Sequence, residues 1–188
     1  MKRIILPVQC LLIFVFLLTG CGSVDLSLIN EVKRFEPEWM NLSETVTFIE
    51  RNLNLTQRRY AKDLKEIEPF IKNPQSNQRN DLYGLRSQYE NMMEKRDELQ
   101  SSFDTQKGEF VSTVSEFNGW VNDLMKNKLG EDEAYTSFRS YREKHEGMKT
   151  EMRDLQNNLI KNIQEHNAIL KRITGKLKLY SNFDINPK

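Results

Sequence analysis

Three long stretches of this chain place apolar side chains at alternating steps of 3 and 4 residues, and that spacing constrains the fold more than any other feature. The first runs Leu28, Val32, Phe35, Trp39, Leu42, Val46, Ile49, Leu53, Thr56, Tyr60, Leu64, Ile67 and Ile71. A second runs from Leu82 through Met92, Arg96, Phe103, Gln106 and Phe117 to Leu124. The third runs from Phe138 through His145, Met152, Leu159 and His166 to Tyr180. Alternating steps of this kind hold side chains on one seam of an α-helix. A pattern sustained over so many turns exceeds an ordinary globular helix and predicts coiled-coil packing.

The interruptions are equally legible. Asn73 to Asn80 is polar, lacks the seam and contains Pro74, which cannot continue a helix. Leu129-Gly130-Glu131-Asp132 reads as a stop and restart, with Gly130 suited to a left-handed C′ position and Asp132 to capping the next helix. These breaks predict helices over about 25–72, 81–128 and 132–180, each about 70 Å long at 1.5 Å per residue. Near-equal lengths joined by short turns predict an all-α fold, an elongated antiparallel three-helix coiled-coil bundle spanning 27–180 with a C-terminal tail over 181–188. Bulky Trp39, Phe103, Phe110, Phe117, Trp120 and Phe138 suit a three-helix core better than a close two-stranded seam. Pro37 predicts a kink or short break in the first helix, since Glu36 before it is pushed off helical geometry, and Pro69 predicts fraying of its last turn.

Ahead of the helices, Met1-Lys2-Arg3 gives a positive start and Ile4 to Leu18 is almost unbroken hydrocarbon, ending in Leu18-Thr19-Gly20-Cys21. That order is a secretory signal peptide over 1–20. The four residues Leu18-Thr19-Gly20-Cys21 resemble the lipobox of bacterial lipoproteins. The resemblance implies cleavage before Cys21 and a diacylglyceryl group on its thiol, leaving 21–26 as a short tether. An uncleaved membrane helix is the plainer alternative, but Ile4 to Thr19 is 16 residues against the roughly 20 a span needs, and Pro7 weakens it. An unmodified soluble secreted chain would carry Cys21 as an unpaired thiol. Loss of Lys2 and Arg3 takes the 28 basic residues to 26 against 27 acids, a net charge of −1 with histidine neutral. No polybasic surface for nucleic acid or membrane remains. The resemblance implies a bacterial cell-envelope location: the outer membrane facing the periplasm in a Gram-negative cell, because position 22 is Gly and not Asp, or the outer face of the cytoplasmic membrane in a Gram-positive one.

No motif for chemistry interrupts the helices. The chain lacks a Gly-rich phosphate loop, an H-E-x-x-H helix and a nucleophile elbow. His145 and His166 stand 21 residues apart on one helix, about 31 Å, so they cannot share a metal, and neither follows a Glu by three residues. Both occupy seam positions and read as buried neutral imidazoles. The sequence therefore predicts no catalytic, metal or cofactor site, and Cys21 as the one modified residue. Met92, Met93, Met148 and Met152 read as core filler. Arg58-Arg59 and the run from Lys171 and Arg172 to Lys176 and Lys178 are the basic clusters, the second in the last turns of helix 3 where cations oppose the helix dipole. Length and helical content resemble the cell-wall-binding lipoproteins of Gram-positive bacteria, in layout only. The reading is a non-enzymatic, membrane-anchored stalk or adaptor, with an envelope protein or cell wall as partner at its far end. Self-association is the competing reading, with Trp120, Leu129 and Tyr135 as a candidate fourth stripe.

Overall fold

A computed structural model describes residues 25–72 and 79–183. They form three helices, α1 (Leu26–Lys72), α2 (Arg79–Met125) and α3 (Glu131–Phe183), with no strand among the described residues. The fold is all-α, as the seam predicts. Cross-helix contacts fix the directions. Glu50, Leu53 and Tyr60 of α1 meet Lys107, Arg96 and Tyr89 of α2, so one helix rises as the other falls. On the next face Glu116, Met92 and Gln88 of α2 meet Lys144, Asn162 and Arg172 of α3. Asp25, Tyr60 and Asp63 meet Tyr135, Asn162 and His166 with both numbers rising, so α1 and α3 run parallel. The result is an up-down-up bundle whose 47-, 47- and 53-residue helices extend roughly 70 to 80 Å.

Several boundaries differ from the sequence reading. Pro37 does not break α1, which runs unbroken from Leu26 to Lys72. Proline costs a helix interior about 3 kcal/mol, but Phe35 and Trp39 on either side are packed into the core and hold the backbone on its helical path. The helix passes Pro69 and ends at Lys72, the boundary expected from the sequence.

The turn between α2 and α3 is built on Asn127 and not on Gly130. Asn127 has φ of 52°, whereas no glycine among the described residues has positive φ. Its N–H donates to Leu124 O at 3.0 Å while Lys128 N–H donates to Asp123 O at 3.0 Å, the paired bonds of a Schellman cap. This ends α2 at Met125, three residues before the expected position 128. Gly130 is instead the N-cap of α3, accepting from Ala134 N–H at 2.9 Å. Asp132 therefore lies inside the first turn with Glu131 and Glu133, where acids favour the positive dipole end.

At its other end α3 continues to Phe183, so 181–183 is helix and not tail. The last turn then carries no base, and the lysine run does not sit against the helix terminus. The expected signal peptide 1–20, Cys21, the expected tether as far as residue 24, residues 73–78 and residues 184–188 lie outside the described residues.

The core separates into two clusters. The larger joins Leu28 through Leu53 of α1, Phe103 through Leu124 of α2 and Ala134 through Leu159 of α3. The smaller contains Tyr60, Ile67, Leu85, Tyr89, Met92, Ile169 and Ile173. Met92 and Met152 are buried and Met93 and Met148 pack against the clusters, so these four methionines are core filler.

Candidate functional site

The two clusters are divided by a buried polar layer contributed by all three helices. Thr56, Arg96 and Asn162 are each buried at this level, and His166 lies one turn beyond. Thr56 and Arg96 both stand on the 3-4 seam, so the same spacing that buries leucines elsewhere buries these polar groups. The Leu53 carbonyl accepts from Thr56 Oγ1 at 2.9 Å and from Arg96 Nη2 at 3.3 Å. The guanidinium also reaches Asp97 Oδ1 at 2.7 Å and Gln100 Oε1 at 3.2 Å, carrying its charge to the edge of the bundle while its stem fills the core.

One turn farther out the pairing becomes reciprocal. Tyr60 OH donates to Asn162 Oδ1 at 3.0 Å, and Asn162 Nδ2 donates to the Met92 carbonyl at 3.0 Å. Tyr89 OH donates to the Tyr60 carbonyl at 3.0 Å. The fully buried His166 ring stacks on Tyr60 with centroids 3.8 Å apart, its Nε2 3.4 Å from Tyr89 OH and 3.3 Å from Asp63 Oδ2. With the Tyr89 proton committed to Tyr60, Nε2–H donates to the Tyr89 oxygen, while Asp63 Oδ2 lies near the ring without a hydrogen-bond partner among the described residues.

Burial sets the protonation states. It pushes the Tyr60 phenol up to about 12. The Tyr89 phenol rises further for the same reason, with the Asp63 carboxylate adding to the effect. Burial also pulls His166 below its ordinary value of 6.5, against the opposing pull of Asp63. At neutral pH the layer thus holds two neutral phenols and a neutral imidazole. The bonds that cross between helices, Arg96 to Leu53, Tyr89 to Tyr60, Tyr60 to Asn162 and Asn162 to Met92, fix the axial register of the three helices, since a shift of one helix strands the bonds it makes to the other two.

His145 occupies an equivalent seam position in a different environment. It is also buried, with the edges of Trp39 and Phe35 against it at centroid distances of 4.9 and 5.1 Å. The Glu146 carboxylate lies 3.5 Å from Nδ1, outside hydrogen-bond geometry, and neither ring nitrogen has a hydrogen-bond partner among the described residues. Around it Phe35, Trp39, Phe117, Trp120, Phe138 and Tyr141 form a continuous aromatic cluster of edge-on and stacked contacts 5.3 to 6.0 Å apart.

The start of α1 is tied across the bundle. Asp25 caps α1, accepting Ser27 N–H at 2.9 Å and Ser27 Oγ at 2.6 Å, and it accepts Tyr135 OH from the first turn of α3 at 2.5 Å. Hydrogen bonds from Ser27 and then Tyr135 hold its carboxyl down to about 2. Two open grooves lie between α1 and α3, about 430 Å³ near Tyr135 and Arg142 and about 260 Å³ beside His145, Lys149 and Arg153. Both are edged by acids and bases together. Among the described residues no group of three or more His, Cys, Asp or Glu is placed to hold a metal ion, and no helix is long and apolar enough to cross a membrane.

Of the sequence candidates, the two histidines are buried as expected and lie apart. Trp120 is buried, and Leu129 and Tyr135 pack against the core, so they do not form an exposed fourth stripe. Arg59 pairs with Asp63 at 3.7 Å and Arg172 with Gln88 at 2.9 Å. Sequence reasoning missed the roles of Asn162, which stands off the seam between Leu159 and Ile163, and of Asp25. An Asp ahead of Leu28 with Ser two residues on is a cap signature that periodicity alone does not report. No protein-family model, curated protein or solved structure matches this chain.

Proposed function

We propose that the chain is a non-enzymatic, lipid-anchored stalk of the bacterial cell envelope, held to a membrane through Cys21 and projecting a rigid three-helix rod. The observation that carries this reading is the Asp25, Ser27 and Tyr135 tie. Four positions after Cys21 the first turn of α1 is capped and bonded to the first turn of α3. A lipid on Cys21 would act on a firm base through a tether too short to behave as a flexible linker. Parallel α1 and α3 then carry the α1–α2 connection and the end of α3 to the membrane-distal end. Envelope protein or cell wall is the partner reached there.

The test is fractionation of cells expressing the full chain and its Cys21→Ser variant. The reading expects the first in the detergent-soluble membrane fraction and the variant released, both with the same strongly helical circular dichroism. Equal membrane association of the two would overturn the lipid anchor.

A further inference from the structure

The outer face of α1 carries a feature that a lone stalk does not use. Of the seven large hydrophobic side chains exposed among the described residues, Leu26, Met40, Phe48 and Leu55 belong to α1, with exposures of 74, 50, 46 and 51%. The last three fall on a second 3-4 series directed away from the core: Pro37, Met40, Glu44, Phe48, Arg51 and Leu55, all exposed. The exposed apolar groups of α2 and α3, by contrast, are Tyr83, Val111 and Ile160.

The charges in this stripe select its partner. Neither Glu44 nor Arg51 has an ion-pair partner among the described residues. Place a second copy of α1 antiparallel, with its Leu55 beside Met40. Arg51 of the second copy then falls beside Glu44, the two Phe48 rings meet at the two-fold axis, and the same contacts repeat on the other side. That is the self-complementarity an isologous interface requires. A parallel pairing instead sets Glu44 against Glu44 and Arg51 against Arg51, and facing like charges disfavour it.

We infer that α1 is a self-association surface, on which two copies of this chain pair antiparallel through Met40, Glu44, Phe48, Arg51 and Leu55. The axis lies near the middle of the 47-residue helix, so the rods overlap along almost their full length and their two residue-25 ends lie about 70 Å apart. Resting on the anchor reading above, such a pair holds its two lipid groups at opposite ends and bridges two facing bilayers.

Disulfide trapping tests the pairing without any lipid. Chains beginning at residue 21 with Cys21→Ser contain every described core residue; one carries Met40→Cys and another Leu55→Cys. Mixed under mild oxidation, they are expected to yield the 40–55 heterodimer at least tenfold over either homodimer. Homodimers in excess, or a monomer by sedimentation at tens of micromolar, would overturn it. Glu44→Arg and Arg51→Glu are each expected to weaken the dimer about tenfold and together to restore it. Single variants without effect would contradict the register.

Bridging is read separately, with the unsubstituted chain from residue 21 coupled through its Cys21 thiol to phosphatidylcholine vesicles bearing maleimide lipid. Clustering by light scattering, abolished by Phe48→Glu, is expected, and dispersed vesicles would contradict the bridge. Because this coupling supplies the anchor chemically, its outcome does not depend on whether cells lipidate Cys21.

Discussion

The two halves of the rod solve the same packing problem with different chemistry. Near Asp25 the three helices meet through Phe35, Trp39, Phe117, Trp120 and Phe138, and even the histidine at this level is packed by ring edges. Beyond Leu53 a smaller apolar cluster is joined by Arg96, Asn162, Tyr60, Tyr89 and His166, whose hydrogen bonds cross between the helices. Apolar packing is strong and tolerant of small slips, since each buried aromatic contributes about 1.5–3 kcal/mol with little angular demand. Hydrogen bonds contribute less, about 0.5–1.5 kcal/mol net each, but they penalise misregister because a stranded buried group costs about 1–3 kcal/mol. The half near Asp25 supplies stability and the half beyond Leu53 specifies alignment.

The largest effect expected from breaking this division is in the aromatic half. Phe117→Ala removes a ring in contact with Phe35, Trp39, Trp120 and Tyr141, and should cost about 3–5 kcal/mol in urea unfolding with an unchanged slope. A smaller loss, about 1–3 kcal/mol, is expected for Asn162→Ala, which removes the side-chain bonds to Tyr60 and Met92 and leaves the Tyr60 hydroxyl only its longer contact to the residue-162 carbonyl at 3.4 Å. The paired replacement Tyr60→Phe with Asn162→Leu sharpens the comparison. It should recover most of that stability while lowering the cooperativity of unfolding, because the register bonds are gone.

Between pH 7.5 and 5, His166 makes the half beyond Leu53 sensitive to acid, a weaker effect. Burial lowers the folded-state pKa of His166, so the unfolded chain binds its proton first. Stability is then complete above pH 6.5 and falls as the pH drops through the window between 6.5 and the lowered folded value. Asp63 and Arg59 of α1 and Tyr89 of α2 face the ring or lie beside it. The Asp63 carboxylate softens the loss, and the Arg59 charge deepens it. A His166→Phe variant, followed by thermal melts at pH 7.5 and 5, should lose this dependence. The smallest effect is expected for Asp25→Ala, which removes the α1 cap and the Tyr135 bond and should lower the melting temperature by about 2–4 °C.

The helices, their order and the aromatic core were legible because a 3-4 repeat reports directly which face each residue occupies. It placed Arg96, Thr56, His145 and His166 on the seam without revealing how they are satisfied. Arg96 and His166 find partners on other helices, at Leu53 and Tyr89, and the layer is completed by Asn162, a position that no single-helix periodicity marks. Local rules allowed a break at Pro37 that does not occur, because the packing of Phe35 and Trp39 outweighs a backbone preference. They chose Gly130 over Asn127 for the turn because either residue tolerates the left-handed conformation, and the outcome depends on where Leu124 must stop to stay buried. The self-pairing stripe on α1 was hidden by the stronger pattern facing inward.

Hydrogen exchange resolved by residue, on the chain from residue 21 onward at pH 7.5 and pH 5, tests the division most directly. It should show amides near Tyr60, Tyr89 and His166 losing protection at the lower pH, while those near Trp39, Phe117 and Phe138 keep theirs. Equal loss in both halves, or earlier loss in the aromatic half, would contradict it.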